Sequence, residues 1–266
     1  MGIVNTTPDS FSDGGRFADA TAAVAHCERL LAEGADLLDI GGESTRPGAR
    51  TPTTGEELDR VMPVLRHAVT LGVPVSVDTS DPLVMKAALD LGVDIVNDVR
   101  ALQRPGAVDT LAAFPQAGVC LMHMQGEPGS MQQKPHYADV VSEVLAFLVE
   151  RARVLLAAGI AADRISLDPG IGFGKEPTHN LQLLAQQRGL LVAGHPLLVG
   201  WSRKSTLGVV TGRPIGDRLA ASVAAALIAV QNGASIVRVH DVAPTVDALK
   251  LWQAMQATSP STVSSA

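Results

Sequence analysis

The sequence predicts an α/β fold in which eight strand–helix units close into one (β/α)8 barrel, the TIM barrel. Short apolar runs alternate with longer helix-like segments along all 266 residues, without a linker or an internal repeat. Several runs stop on a polar side chain, as strands do where a barrel builds its active site at their carboxyl ends. With 46% hydrophobic residues, the chain suits a single barrel of about 250 residues.

The strands and helices can be placed in order along the chain. The eight apolar runs predicted to be strands are residues 2–4, 37–40, 75–78, 95–97, 119–122, 165–168, 196–199 and 236–239. Helices are predicted between them at about residues 20–34, 54–71, 82 onward, 108–114, 141–155, 178–187, 217–231 and 244–256. Residues 1–257 therefore form the predicted barrel, and the small, polar tail 258–266 is predicted to be disordered.

Helix boundaries and faces rest on local signals. Thr54 with Glu57 matches a capping box at the start of the second helix, and Asp81 with Pro82 matches a cap followed by a first-turn proline. Two helices show an apolar face at helical spacing, formed by Ala20, Val24, Cys27 and Leu31 in one and by Val141, Leu145, Leu148, Ala152 and Leu155 in the other.

The helix predicted at 217–231 is apolar all round, which indicates burial on two sides. One stripe consists of Leu219, Val223, Leu227 and Ile228, and alanines occupy most of the remaining surface. One side would pack on the barrel and the other on a second copy of the chain. A two-fold homodimer is therefore expected.

Composition excludes several classes of function. A net charge of −6 and 3% aromatic residues argue against a nucleic-acid partner, because no basic surface would neutralise phosphates. The longest apolar run, residues 219–230, is too short to span a bilayer. Two cysteines do not make a disulfide framework, and the histidines lack zinc-site spacing. The chain is therefore expected to be a cytoplasmic protein.

Polar groups stand where the predicted strands end. The residues in question are Asn5, Asp78, Asn97, Asp168 and His240. The strand at 196–199 is followed by Ser202-Arg203-Lys204-Ser205, in which Arg203 and Lys204 are neighbours and should point to opposite sides. Only one of these two cations can therefore face the common patch.

Asp78, Asn97 and Asp168 form a carboxylate–amide–carboxylate set. Buried carboxylates are costly unless they are paired, and a ligand with a row of N–H donors would pair them. The 2-amino-4-oxopyrimidine edge of a pterin, or of guanine, is such a row. The alternative is internal pairing of these acids with Arg100, Arg164 or Lys175.

The glycine-rich stretch 168–175 is not a Walker phosphate loop, because the spacing of its glycines and lysine differs from that motif. Its glycines would let backbone pass close under a ligand, with Phe173 as a stacking wall. The alternative is a turn that only closes a barrel strand.

Arg238 and His240 alternate on the last strand, so both basic groups face the same side and could bind an anion such as pyrophosphate. The alternative for His240 is a hydrogen-bonded structural histidine.

Two long polar loops, residues 5–16 and 41–52, suit substrate clamps, and Arg46 in the second could reach an anion. These loops could also be plain solvated connections.

Several segments together resemble the signature of the dihydropteroate synthase family. They are Met1-Gly2-Ile3-Val4-Asn5-Thr6-Thr7-Pro8-Asp9-Ser10-Phe11-Ser12-Asp13-Gly14-Gly15, Asp39-Ile40-Gly41-Gly42-Glu43-Ser44-Thr45-Arg46-Pro47-Gly48, Val77-Asp78-Thr79, residues 168–175, Ser202-Arg203-Lys204-Ser205 and Arg238-Val239-His240-Asp241. The resemblance extends from Gly2 to about Met255. Thr6 departs from it, since the family usually carries Val there, and relatives usually have a short lead-in before the first strand.

The resemblance implies condensation of 6-hydroxymethyl-7,8-dihydropterin pyrophosphate with 4-aminobenzoate, giving 7,8-dihydropteroate and pyrophosphate in folate biosynthesis. It implies pterin binding by Asp78, Asn97, Met122, Asp168, Phe173, Gly200 and Lys204. It implies pyrophosphate binding by Asn5, Arg46, Arg238 and His240, with Mg²⁺ held by Asn5. It implies a 4-aminobenzoate site, where sulfonamides compete, at Thr45, Pro47, Ser202 and Lys204. The catalytic set would be Asp78, Lys204, Arg46 and Asn5.

Two alternatives stay open at this point. A methyltetrahydrofolate–corrinoid methyltransferase shares such a pterin pocket, but it has no use for a pyrophosphate site. A non-catalytic pterin-binding homologue is the other alternative, and the presence of Asn5, Lys204, Arg238 and His240 argues against it. No nucleophile–base pair is evident, so catalysis would depend on binding pyrophosphate and stabilising a pterin methylene cation.

Overall fold

The computed structural model describes residues 1–7, 15–44, 50–127 and 129–258. Within these ranges the chain forms eight strands that alternate with helices, as the apolar pattern predicts. The strands are β1 Gly2–Asn5, β2 Leu38–Gly41, β3 Val75–Asp78, β4 Ile95–Asp98, β5 Gly118–Met122, β6 Ile165–Asp168, β7 Leu198–Val199 and β8 Ile236–Val237.

The helices of the described ranges pack around these strands. They are α1 Gly15–Ala32, α2 Thr54–Ala68, α3 Pro82–Asp90, α4 Ala107–Ala112, α5 Val140–Ala157, α6 Pro177–Ala185, α7 Ser205–Thr211, α8 Leu219–Gln231 and α9 Val242–Thr258. No helix in the described part of the chain combines the length and the hydropathy needed to cross a membrane.

The strands close into a barrel by parallel pairing. β1 to β6 form one continuous sheet in chain order, and β7 pairs with β8. The two sheets meet at isolated bridges, Leu167 with Leu197 and Gly2 with Val239. Backbone bonds at the last seam, Ile3 N to Val239 O and Val239 N to Met1 O, are both 3.0 Å. The (β/α)8 barrel is therefore confirmed, and all strand carboxyl ends lie at one mouth.

Two of the predicted helix boundaries are informative. Asp81 caps α3 through Leu83 N, with Pro82 in the first turn, as predicted. The capping box of α2 is formed by Thr53 and Glu56, one residue before the predicted Thr54 and Glu57. Glu57 is instead buried, and burial raises the pKa of its carboxyl to about 7. A side chain turned into the core cannot reach back to the helix start.

Other differences are small. The buried face of α1 consists of Ala23, Cys27 and Leu30, so the predicted stripe is shifted by about one residue. The last two strands are shorter than predicted, and α7 falls in a segment that the sequence pattern left without a helix.

Helix α8 packs with its small side chains inward, at Ser222, Ala225, Ala226 and Ala229. Leu219 and Ile228 are 44% and 42% exposed, so part of the bulky stripe faces outward. Helix α9 continues through Thr258, and the rest of the predicted disordered tail, residues 259–266, lies outside the described residues.

Candidate active site

Arg238 lies at the centre of a charge network in the barrel mouth. Its Nε donates to Asp39 Oδ2 at 2.6 Å, and its Nη2 donates to Asp78 Oδ2 at 2.8 Å. Asn97 Nδ2 also donates to Asp39 Oδ2, at 3.2 Å. The strand ends thus converge as predicted, and the guanidinium already has two carboxylate partners.

Asp39 is the part of this network that sequence reasoning missed. It pairs in register with Ser76, and Gly41 pairs with Asp78, so Asp39 lies one layer deeper in the barrel than Asp78. Asp39 is 0% exposed, and its Oδ1 has no hydrogen-bond partner among the described residues. A carboxylate in the middle of the apolar run 37–40 was the available signal, because an uncompensated charge there would be costly.

Asp168 follows β6 on the other side of the mouth. Its Oδ1 accepts from Gly170 N at 2.7 Å, so the glycine-rich loop engages one carboxylate oxygen. No other described residue is hydrogen-bonded to this carboxylate. Arg100, Arg164 and Lys175, the cations considered as internal partners, do not pair with Asp78, Asn97 or Asp168. Asp78 pairs internally with a different cation, Arg238.

Burial dominates the titration of both mouth carboxylates. It raises the pKa of Asp168, while the Gly170 N–H and the Lys204 cation act in the opposite direction. Burial also raises the pKa of Asp78, and the Arg238 cation partly offsets that effect. The pKa of Arg238 is raised, because attraction to Asp39 and Asp78 outweighs the lowering effect of burial. Both acids are therefore suited to a ligand that supplies N–H donors.

Lys204, rather than Arg203, faces the mouth. Its Nζ lies 4.3 Å from the centroid of the Phe173 ring, a cation–π contact. Arg203 turns away and forms a bidentate pair with Asp241, at 2.6 and 3.1 Å. Burial, reinforced by the Arg238 cation, lowers the pKa of Lys204 to about 8. The prediction that the two cations point to opposite sides is confirmed.

His240 is held by Ser202. The Ser202 Oγ lies 3.0 Å from His240 Nδ1 and accepts from His240 N at 3.1 Å. Burial, together with the Arg203 and Arg238 cations, lowers the pKa of His240 to about 3. The ring is therefore neutral at physiological pH, and the prediction of a basic group here is wrong in this respect. Neutral His240 can still donate a hydrogen bond from Nε2.

The other predicted contacts lie at the same end of the barrel. Asn5 ends β1 beside Gly41, and no described residue hydrogen-bonds to its amide. Met122 ends β5 in register with Asp168 and is 4% exposed. Gly200 directly follows β7. These positions agree with the resemblance, and their ligand roles stay predictions.

The second long loop is described only at its base. Thr45, Arg46 and Pro47 lie outside the described residues, as does most of the first loop. Glu43 is described and forms a bidentate ion pair with Arg100, at 3.0 and 3.1 Å. The same guanidinium donates to Glu127 at 3.0 Å, so Arg100 ties the loop after β2 to the loop after β5.

A model of the pterin binding enzyme family matches residues 1–240. Dihydropteroate synthase of Neisseria meningitidis serogroup B is 54% identical over 261 residues, covering 96% of this chain and 92% of that protein.

Solved structures give the same result. Xanthomonas albilineans dihydropteroate synthase with 4-aminobenzoic acid is 54% identical, with a TM-score of 0.92, and the match covers 97% of this chain and 93% of that one. The Yersinia pestis enzyme in complex with a sulfonamide drug is 47% identical, with a TM-score of 0.92 and coverage of 97% and 94%. These similarities span nearly the whole chain and concern one activity, so the methyltransferase and non-catalytic alternatives are not supported.

Proposed function

The chain belongs to the pterin-binding enzyme family, among its dihydropteroate synthases, and we propose how its side chains carry out that reaction. The enzyme is a transferase that condenses 6-hydroxymethyl-7,8-dihydropterin pyrophosphate with 4-aminobenzoate. The products are 7,8-dihydropteroate and pyrophosphate, a step of folate biosynthesis, and sulfonamides are inhibitors of this class of enzyme.

The pterin binds against the polar strand ends. The Asp168 carboxylate receives the N3–H and the exocyclic amine, with its Oδ1 already fixed by Gly170 N. Asn97 is oriented by its donation to Asp39, which leaves its Oδ1 as an acceptor for the ligand. Lys204 lies on the O4 and N5 side of the pterin, and Phe173, Met122 and Gly200 line its faces.

The pyrophosphate binds at the outer edge of the same mouth. In the tautomer whose Nδ1 accepts from the Ser202 hydroxyl, neutral His240 donates from Nε2 to the pyrophosphate. Arg238 and Arg46 supply positive charge, and the carboxylate partners of Arg238 hold its guanidinium in place for the incoming anion.

Magnesium fits the donor set at Asn5. Within the described ranges, no three His, Cys, Asp or Glu side chains are grouped to hold a metal ion. Mg²⁺ commonly keeps water and substrate phosphate ligands and needs only one or two protein oxygens, which a single amide oxygen satisfies. When bound, the ion would neutralise charge on the leaving pyrophosphate. Asn5, whose amide has no partner among the described residues, would hold it.

The chemical step needs no protein nucleophile. The bond between the pterin methylene carbon and the pyrophosphate oxygen breaks, and its electron pair leaves with pyrophosphate. Asp78, which is hydrogen-bonded to the Arg238 guanidinium, stabilises the methylene cation. The amine of 4-aminobenzoate, held by Thr45, Pro47, Ser202 and Lys204, then forms the carbon–nitrogen bond and releases a proton to solvent.

The observation that carries this assignment is the meeting of Asp78, Asn97, Asp168, Lys204 and Arg238 at one mouth. The direct test is pyrophosphate release on mixing the chain with both substrates and Mg²⁺. Release that requires all three components supports the assignment. Release without 4-aminobenzoate, or no release, contradicts it.

The homodimer is part of the same proposal. The outward face of α8 is continuous in sequence with exposed apolar residues on and after α7, and these are Val209, Val210 and Ile215, each at least 60% exposed. Pairing of this surface with a second copy would bury it. Light scattering should give twice the monomer mass of 27.6 kDa, and the monomer mass at micromolar concentration would contradict the proposal.

We also place the reaction in the cytoplasm, in keeping with two free, buried cysteines.

A further inference from the structure

Lys175 is a buried cation that the reaction does not use. It is 2% exposed and lies directly after the glycine-rich loop, residues 170–174. No carboxylate among the described residues pairs with it. Its Nζ lies instead 3.0 Å from Gly170 O, 3.0 Å from Phe173 O and 3.3 Å from His123 O. A buried lysine surrounded by backbone carbonyls ties those carbonyls together, and few other side chains could do so.

The fourth neighbour of this nitrogen is the ring of His123. The Lys175 Nζ to His123 Nδ1 distance is 2.9 Å. Burial, reinforced by Lys175, lowers the pKa of His123 to about 3, so the ring is neutral and its Nδ1 can accept a hydrogen bond. The ring also packs edge-on against Phe147, with centroids 5.0 Å apart. Lys175 therefore joins the loop after β6 to a rigid point directly after β5.

The loop can take this path only because of its glycines. Gly170 has φ +68°, and a Cβ there would lie 1.9 Å from His123 O. Gly174 has φ +58°, and its Cβ would lie 2.4 Å from Gln125 O. The loop backbone thus rests directly on residues 123–125. Two further bonds close it from outside, from Tyr137 to Gly174 O at 2.8 Å and from Gln132 to Gly172 O at 2.6 Å.

This loop positions two of the proposed pterin contacts. Phe173 lies within it, and the Phe173 ring faces Lys204 Nζ. Gly170 N holds one oxygen of Asp168, which leaves the other oxygen for a ligand. The positions of both contacts depend on the carbonyl groups of Gly170 and Phe173, which are hydrogen-bonded to Lys175 Nζ.

We propose that Lys175 is a positioning residue for pterin binding, acting through Phe173 and the orientation of Asp168 without touching the substrate. The proposal rests on the assignment of Phe173 and Asp168 to the pterin, made under the proposed function. It gives the lysine of the stretch 168–175 a role that is neither phosphate binding nor neutralisation of a carboxylate.

The test is a double-mutant cycle on Lys175 and Phe173. Pterin affinity is measured by calorimetry for wild type, Lys175→Met, Phe173→Ala and the double variant, together with KM and kcat. Lys175→Met should weaken pterin binding about tenfold or more in the wild-type background and at most about threefold in the Phe173→Ala background. The KM for the pterin substrate should rise more than the KM for 4-aminobenzoate. Lys86→Met, on the exposed side of α3, is the matched control. It should change neither the pterin affinity nor the KM of either substrate.

Each outcome decides the proposal. Equal losses in the two backgrounds, or a folded Lys175→Met variant that binds pterin within twofold of wild type, would overturn it. If Lys175→Met does not fold, Tyr137→Phe removes one bond to the same loop and should weaken pterin binding about two- to fivefold, with a smaller loss in the Phe173→Ala background. Wild type that fails to bind pterin would overturn the assignment of Phe173 and Asp168, and this proposal with it.

Discussion

Two cations at the same barrel mouth, the half-buried Arg238 and the buried Lys175, are held in opposite ways. Arg238 is bonded to the carboxylates of Asp39 and Asp78, whereas Lys175 is surrounded by carbonyls and a neutral imidazole. Attraction to acids raises the pKa of Arg238, whereas burial lowers the pKa of Lys175 to about 7. A cation paired with acids belongs to a charge network that a charged substrate can enter. A cation paired with carbonyls fixes the shape of a loop.

The largest effect should come from breaking the charge network. Arg238→Met would leave Asp39 buried without its cation, which costs about 3–5 kcal/mol when one partner of a buried pair is removed. Burial raises the pKa of Asp78, so this loss should be smaller at pH 5 than at pH 8, because Asp78 without Arg238 can take up a proton. Denaturant unfolding at both pH values measures this loss.

The matched variant is Arg238→Met combined with Asp39→Asn, which removes the buried charge as well. It should be more stable than Arg238→Met alone. If the free energy of unfolding of Arg238→Met falls by less than about 1 kcal/mol, the charge network contributes less to stability than proposed.

The next effect concerns the pH dependence of catalysis. The pKa of Lys204 is lowered to about 8, mainly by burial, and only its protonated form supplies a charge-assisted hydrogen bond to the pterin O4. As pH rises through about 8, kcat/KM should fall, reaching about tenfold per pH unit well above the pKa. Lys204→Arg stays protonated, so its profile should be flat in this range. A wild-type profile that is also flat up to pH 10 would contradict this role.

A smaller effect, on the pH dependence of stability, should distinguish Lys175, which is bound to carbonyls, from Arg238, which is bound to acids. The folded-state pKa of Lys175, about 7, lies below its value in an unfolded chain, about 10.4. The unfolded state therefore binds more protons between these values, and stability should rise with pH by at most about 1.4 kcal/mol per unit. Lys175→Gln should remove this part of the slope. Unfolding curves at pH 7.0 and 9.5 for both proteins measure it, and identical slopes would show that Lys175 is fully charged.

The smallest effect concerns Thr6, the departure from the family pattern. Its Oγ1 donates to Gly41 O at 3.0 Å, which ties the end of β1 to the end of β2 beside Asn5. Thr6→Val removes one hydrogen bond worth about 0.5–1.5 kcal/mol, and the added methyl group offsets part of that loss. Thermal unfolding should detect a loss below about 1 kcal/mol, with activity within about twofold of wild type. A tenfold loss of activity would mean that Thr6 orients Asn5.

Much of the fold could be predicted from the sequence, because its signals are local. The bounds of β3 and β6 agree with the apolar runs that end in Asp78 and Asp168. The start of α2 could not be placed to the residue, since Thr53 with Glu56 and Thr54 with Glu57 both fit the capping pattern. Only tertiary packing, which buries Glu57, distinguishes the two.

The convergence of the polar strand ends could be predicted, but the network that joins them could not. Polar strand ends identified Asp78, Asn97 and Asp168, because the ends of parallel strands meet at one mouth. The pairing of Arg238 with Asp39 joins residues 199 positions apart in the sequence, and no spacing rule encodes such a contact. The neutral state of His240 likewise depends on burial and on neighbouring cations that only the fold brings together.

The central claim is that the Asp168 carboxylate, with its Oδ1 fixed by Gly170 N, pairs with the N3–H and the exocyclic amine of the pterin. In Asp168→Asn, the remaining carbonyl oxygen can still accept from Gly170 N, and the amide N–H₂ then faces the pterin donors. Calorimetry with a pterin should show a loss of about 2–4 kcal/mol in binding with the fold intact. Asp163→Asn, just before the opposite end of the same strand, should bind like wild type. Affinity of Asp168→Asn within threefold of wild type would contradict the account.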